Sequence, residues 1–184
     1  GFVDNYAKGT VYWAKLWKSD IGETACRNLA SWTRETLTMQ AAGNAEHTFR
    51  LVQRTDNGRY VNCCFLMKNL LDKTHKMNST DTNNGGWKDS WMRRWVNNRV
   101  YNGLPDQWKL LIQQVNVMSS AGNKSYDIIT AEDYVWIPSC KEVGGLVTTS
   151  PYSNESDGTI NYFTTDASRV KKLNNGKGAA NYWW

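Results

Sequence analysis

Few residues of this chain have both the type and the spacing that chemistry needs. The two histidines, His47 and His75, fall in neither a His-Glu-x-x-His pair nor a Cys/His metal spacing. The four cysteines, Cys26, Cys63, Cys64 and Cys140, match neither a zinc site nor a small disulfide framework. Cys63 and Cys64 are neighbours, and in a strand they would point to opposite faces. Buried free thiols are expected, with a bridge from Cys26 or Cys140 to one of the pair as the alternative. Glu132, Asp133 and Glu142 flank the apolar run Tyr134 to Ile137. Two carboxylates at the right separation hydrolyse glycosides, but sequence spacing does not set that separation, and surface charge is the simpler reading. Asp81-Thr82-Asn83-Asn84-Gly85 opens like a calcium loop, yet Met92 stands where the closing glutamate belongs. Asn154-Glu155-Ser156-Asp157-Gly158 is also oxygen-rich and reads as a solvated turn. No Gly-x-Ser-x-Gly elbow and no Gly-x-x-x-x-Gly-Lys-Ser/Thr loop is present. The expectation is no catalytic residue, no metal and no cofactor.

Composition narrows the classes further. The 184 residues suit one large domain, or a small domain plus an extension. No stretch approaches the roughly 18 apolar residues of a membrane helix, so a soluble chain without membrane insertion is expected. The 10 Trp and 9 Tyr supply large apolar bodies with polar handles, which serve both cores and binding surfaces. The 19 Asn favour turns and caps, so the chain should be rich in loops. A net charge of +5 permits nucleic-acid binding. The basic residues are dispersed, however, whereas nucleic-acid footprints are dense stripes. Arg169, Lys171 and Lys172, the tightest cluster, read as a solvated face, and no nucleic-acid partner is expected. The chain opens on Gly1 without a visible signal peptide, as a trimmed or processed product would.

The elements that would hold these residues follow from periodicity. Residues 1–44 read as an N-terminal arm or extension, with a short helix from Thr24 to Thr33. His47 to Arg54 and Arg59 to Met67 flank Asp56-Asn57-Gly58, a strong hairpin signal. In the second run Val61, Cys63, Phe65 and Met67 form one wholly apolar face. After the loop Asn78 to Gly86, a helix capped by Asp89 or Ser90 carries Trp87, Trp91 and Trp95 at i, i+4, i+8. A second helix starts at Pro105 and carries Trp108, Leu111, Ile112 and Val115. Ser119 to Ser125 reads as loop and Tyr134 to Ile137 as a strand, and the chain turns between Pro138 and Val143. Gly144 to Asn181 reads as long surface loops. Trp87, Trp91, Trp95, Trp108 and Trp136 are expected to build the core, and Trp95→Ala to cost about 3–5 kcal/mol if that residue is buried.

Three segments together resemble a known family. They are Gly86-Trp87-Lys88-Asp89-Ser90-Trp91-Met92-Arg93-Arg94-Trp95-Val96-Asn97, Leu104-Pro105 running on to Ser119-Ser120-Ala121-Gly122-Asn123, and Tyr134-Val135-Trp136-Ile137-Pro138-Ser139-Cys140-Lys141-Glu142-Val143. Their order, with the terminal Trp183-Trp184, resembles a domain of unknown function found in Gram-positive gut bacteria and their phages. That family's pattern runs GW-x-x-S-x-x-R-x-W-L-N, then L-P-S-x-x-E-V, then WWLRSP. The resemblance spans roughly residues 45–184. It implies an α+β fold similar to C-type-lectin-like domains, with two helices, an antiparallel sheet and long surface loops. The chain stops at Trp184, where the family continues with further strands. Either it is a piece of a longer protein, the favoured expectation, or a neighbouring subunit supplies those strands.

Three functions are weighed. The first is a non-enzymatic binding or attachment module of a phage particle or bacterial surface protein, located on the virion or cell surface. It would recognise a host or surface glycan or protein through its loops. Tyr152, Asn154, Tyr162, Asn174, Asn175, Asn181 and Tyr182 are its candidate contacts, acting by aromatic stacking and amide hydrogen bonds. The second is a structural subunit of a virion or envelope that binds only its neighbours and leaves an apolar patch exposed when isolated. The third is a carbohydrate-active enzyme, which needs two converging carboxylates. The first is preferred.

Overall fold

The computed structural model describes residues 11–17, 36–41, 45–56, 60–71, 74–104, 106–110, 112–145, 152–156 and 158–172. Asn57-Gly58, the Thr24 to Thr33 helix, Cys26, Pro105 and the terminal tryptophans lie outside the described residues. What is described is a mixed α+β fold with antiparallel sheets. Strands β1 (Val11–Trp17), β2 (Thr36–Ala41), β3 (Ala45–Asp56), β4 (Tyr60–Met67) and β7 (Val135–Trp136) form one sheet in the order β2-β3-β4-β1-β7. Strands β5 (Val115–Ser120) and β6 (Ile128–Asp133) form a second sheet. Between β4 and β5 run α1 (Gly86–Asp89), α2 (Trp91–Trp95), a π-helical continuation over Val96–Tyr101, and α3 (Asp106–Lys109).

The β3–β4 hairpin is the one its Asn-Gly signal predicts, with Asp56 opposite Val61. Its register shifts between Leu51 and Gln53. This is a bulge, and it puts Val52 into the interior out of step with His47 and Phe49. On β4 the expectation of one buried face is too modest, because residues 63–67 are buried without a break. β4 is the middle strand of five, so Cys64 and Leu66 are covered as fully as Cys63, Phe65 and Met67. β1, from the segment read as an arm, pairs with β4 on one side and β7 on the other.

The second expected helix is mostly absent. α3 is a single turn, Leu110 is 82% exposed, and Val115 already belongs to β5. The spacing 108, 111, 112, 115 fits a helix, but the alternation of buried Val115 and Val117 with exposed Asn116 fits a strand. Pairing with β6 decides for the strand, setting Val115 opposite Asp133 and Val117 opposite Ala131. Ser119 and Ser120, read as loop, are the last residues of β5.

The tryptophan stripe is also broken. Ser90 adopts extended angles, φ −67° and ψ 150°, and ends α1 before α2 begins. Trp87 and Trp91 therefore do not share a helical face. Trp87 and Trp136 enter the core, Trp95 packs partly against it, and Trp91 is 53% exposed. The side chain of Trp108 lies outside the described residues. Trp136→Ala should cost about 3–5 kcal/mol. Trp91→Ala should stay within about 0.5 kcal/mol of the parent, as an exposed substitution does. Urea denaturation midpoints of the two variants test this, and equal midpoints would contradict the placement.

The segment after Gly144 does more than cover the surface. Ile160 and Phe163 plug the core, and the Ile160 amide donates to the Glu142 carbonyl at 2.8 Å. The Leu70 amide donates to the Lys172 carbonyl at 2.7 Å, which ties this segment to the end of β4.

Candidate ligand-binding site

The motif residues converge on one carboxylate. Asp133 ends β6, is buried, and receives three donors. Trp87 Nε1 donates to Oδ2 at 2.7 Å, Arg93 Nε to Oδ1 at 2.7 Å, and Asn97 Nδ2 to Oδ1 at 3.1 Å. Arg93 spends its remaining nitrogens on the Lys88 and Glu132 carbonyls. Ser90 caps α2 by accepting from the Arg93 amide at 3.0 Å, so the cap also aims Arg93. Asn97 Oδ1 accepts from the Tyr134 and Val135 amides, and its Nδ2 also reaches the Val135 carbonyl. That same Nδ2 bonds the Arg93 carbonyl. Competition for an i−4 carbonyl is a known cause of a widened helix, and the π-helical stretch begins here. Burial pushes the Asp133 carboxyl above the usual carboxylate range, against the pull of Trp87, Arg93 and Asn97. With every side chain committed to another, this cluster joins the helices to β6 and β7.

Two further acids, Glu142 and Glu155, are similarly engaged. Glu142 Oε2 accepts from the Ser139 amide at 2.8 Å while Ser139 Oγ accepts from the Glu142 amide at 3.2 Å. This reciprocal pair caps the turn after Pro138. Glu155 Oε1 accepts from the Ser120 amide at 2.8 Å, and Glu132 is exposed. In the loop 81–85, which opens like a calcium loop but lacks the closing glutamate, Asn83 Oδ1 accepts from the Asn123 amide. Among the described residues, no group of three or more His, Cys, Asp or Glu is placed to hold a metal. Cys64 and Cys140 are free thiols. Burial, with Glu142 and Cys63 adding to it, pushes the Cys64 thiol well up, which makes it a poor nucleophile.

An open hollow of about 420 Å³ lies beside α2, lined by His75, Lys76, Trp91, Arg94 and Trp95. The His75 ring stacks on Trp95 with centroids 3.6 Å apart. Two bonds fasten the preceding loop to α2: the Trp91 amide donates to Asn78 Oδ1 at 3.2 Å, and the Met92 amide to the Met77 carbonyl at 3.0 Å. Arg94 is held by the Asp89 carbonyl. The result is an exposed indole and a stacked aromatic pair flanked by two cations. Such a surface stacks on the apolar face of a sugar or aromatic group and favours negative charge at its edge.

The residues expected to bind ligand are placed differently. Tyr152 and Asn154 are exposed in a 3₁₀ turn next to β5. Tyr162 faces β3 instead, its hydroxyl accepting from Arg50 and its ring 5.3 Å from the guanidinium carbon. Asn174, Asn175, Asn181 and Tyr182 lie outside the described residues. Sequence reasoning missed the hollow because Trp91 was counted into the core stripe. The available signal was Ser90 as a cap, since a cap placed after Trp87 puts Trp87 and Trp91 on different helices.

The sequence model of a family described as "Domain of unknown function (DUF6273)" matches residues 61–184. No curated protein and no solved structure matches the chain.

Proposed function

The chain belongs to the DUF6273 family of domains of unknown function, and from that premise we propose that it is a non-enzymatic binding module recognising a glycan on a bacterial or host surface. The observation that carries this reading is the aromatic hollow with its exposed Trp91. The engagement of Asp133 and Glu142 in structural hydrogen bonds supports it against a glycoside hydrolase, which needs both carboxylates to face a substrate. A C-type-lectin-like layout is part of the reading. Support comes from an antiparallel sheet, helices inserted between its strands, and the Ile-Pro-Ser-x-x-Glu turn. Attachment to a phage particle or cell surface is the setting in which such a module works.

Binding to an immobilised array of bacterial surface polysaccharides tests it. Saturable binding to one polysaccharide class is expected, weakened about 5- to 10-fold in Trp91→Ala with an unchanged denaturation midpoint, the worth of one aromatic contact. Absence of binding across the array, or binding indifferent to Trp91, would sink the reading.

A structural-subunit reading has one observation in its favour: Met77, whose carbonyl accepts from the Met92 amide, is exposed as Trp91 is, so a second large apolar side chain reaches solvent near α2. Light scattering separates the two. A concentration-dependent multimer lost in Trp91→Ala points to subunit contact, and a monomer that binds polysaccharide points to recognition.

A further inference from the structure

A second cavity, of about 210 Å³, lies between the β3–β4 hairpin and residues 162–172. Four cations line it, Arg50, Lys68, Lys171 and Lys172, together with Asn69 and Tyr162, and among the described residues no lining residue is acidic. The cations come from distant parts of the chain: Arg50 from β3, Lys68 from the end of β4, and the two lysines from more than 100 residues later.

The arrangement is built and costly. Lys171 is only 7% exposed, and its ammonium donates to the Met67 and Lys68 carbonyls. Arg50 is held over the Tyr162 ring and donates to the Tyr162 hydroxyl. The backbone bonds from Leu70 to Lys172 and from Lys68 to Thr48 fix the walls. Burial, and then the nearby Arg50 charge, lower Lys171 to about 7 from the ordinary lysine range. An anion entering the cavity would meet both this ammonium and the Arg50 guanidinium. The cavity is smaller than the ~300–1,000 Å³ of a drug-sized ligand site, so a compact anion fits it better than an extended one.

We propose that this cavity binds a tetrahedral oxyanion, a phosphate or sulfate group, held by Arg50, Lys68, Lys171 and Lys172. Arg50 contributes a planar donor fork, and the lysines contribute point charges around it. The site is distinct from the aromatic hollow and stands whether or not that hollow binds a glycan.

Isothermal titration at constant ionic strength tests this, with sulfate, inorganic phosphate and glycerol 3-phosphate as separate probes. Saturable one-to-one binding of at least one probe is expected. Lys68→Gln, at an exposed position that folding tolerates, and Arg50→Gln should each weaken it about tenfold, the loss of one charge-assisted contact. Tighter binding of glycerol 3-phosphate assigns the site to an esterified phosphate, and equal binding assigns it to the free ion. Sulfate keeps its charge across neutral pH, so its pH profile reads the protein. Among the described residues, the titratable groups that line the cavity with Lys171 are Arg50, Lys68, Lys172 and Tyr162. Sulfate affinity should be full below about pH 7 and fall as pH rises through and above it, because Lys171 loses its proton there. Lys171→Met should remove that dependence. Lack of saturable binding by any probe, or binding unchanged in both Lys68→Gln and Arg50→Gln, would overturn the proposal.

Discussion

Asp133→Ala is expected to lower stability by about 3–5 kcal/mol, the usual penalty for removing one partner of a buried ion pair. A domain holds only ~5–15 kcal/mol in all, so this variant should be the most damaging single change at a polar position. The reason lies in what it strands. Trp87 Nε1, Arg93 Nε and Asn97 Nδ2 all aim at the Asp133 carboxylate, and each would lose an acceptor, Trp87 in a buried place and Arg93 and Asn97 in half-buried ones. Asp133→Asn should fare little better. Oδ1 and Oδ2 both accept now, so an amide in either orientation turns its NH2 group towards a donor. Arg93→Ala should also destabilise, and the double variant Arg93→Ala/Asp133→Ala should cost clearly less than the two single costs added. Urea denaturation of the four proteins measures this. Strict additivity, or an Asp133→Ala cost below about 1 kcal/mol, would show that the network does not hold the helices to β6.

Gly86→Ala is expected to cost about 2–5 kcal/mol, combining a left-handed backbone with a steric clash. Gly86 has φ +53°, and a Cβ there would stand 1.8 Å from the Ser120 carbonyl oxygen. Gly122 is its counterpart, with φ +76° and a Cβ position 1.6 Å from the Asn83 carbonyl oxygen. Two loops meet here backbone to backbone, and the Gly85 amide donates to the Ala121 carbonyl at 2.8 Å. Backbone cannot move aside as a flexible side chain can, so the contact must open. Gly158 is the control, because nothing lies within 4 Å of its Cβ position. Gly158→Ala should be near neutral. Thermal midpoints decide the matter: if Gly86→Ala and Gly158→Ala matched, the close approach of residues 83–86 to 120–122 would be wrong.

These two expectations give a physical meaning to the Gly-Trp-x-x-Ser-x-x-Arg spacing. Gly86 allows the close approach, Trp87 and Arg93 reach Asp133, and Ser90 caps the helix that aims Arg93. Asn97 completes the join through the Tyr134 and Val135 amides. The segment is a folding device, and the candidate ligand surface uses Trp91, Arg94 and Trp95 within it.

The cluster Arg169, Lys171 and Lys172 shows where sequence reasoning stops. Dispersed charge reads as a solvated face, yet Lys171 is buried and Arg169 donates to the Val143, Gly144 and Phe163 carbonyls. Nothing local marks a lysine for burial. Its place follows from the chain returning to pair beside Leu70, a contact between residues about a hundred positions apart.

The sequence by itself determined the features whose causes are local. Asn57-Gly58 between β-prone runs set the β3–β4 hairpin, Ser90 set a cap, and strand patterning beside helix signals set a mixed α+β class. Turn chemistry, capping and alternation act within a few residues, so they are legible in one dimension. Only the tertiary structure decided that Val115 extends a strand, that both faces of β4 are covered, that Trp91 faces outward, and that four distant cations share one cavity. Each of these depends on which partner is available, and partners are chosen by packing of the whole chain rather than by any local pattern.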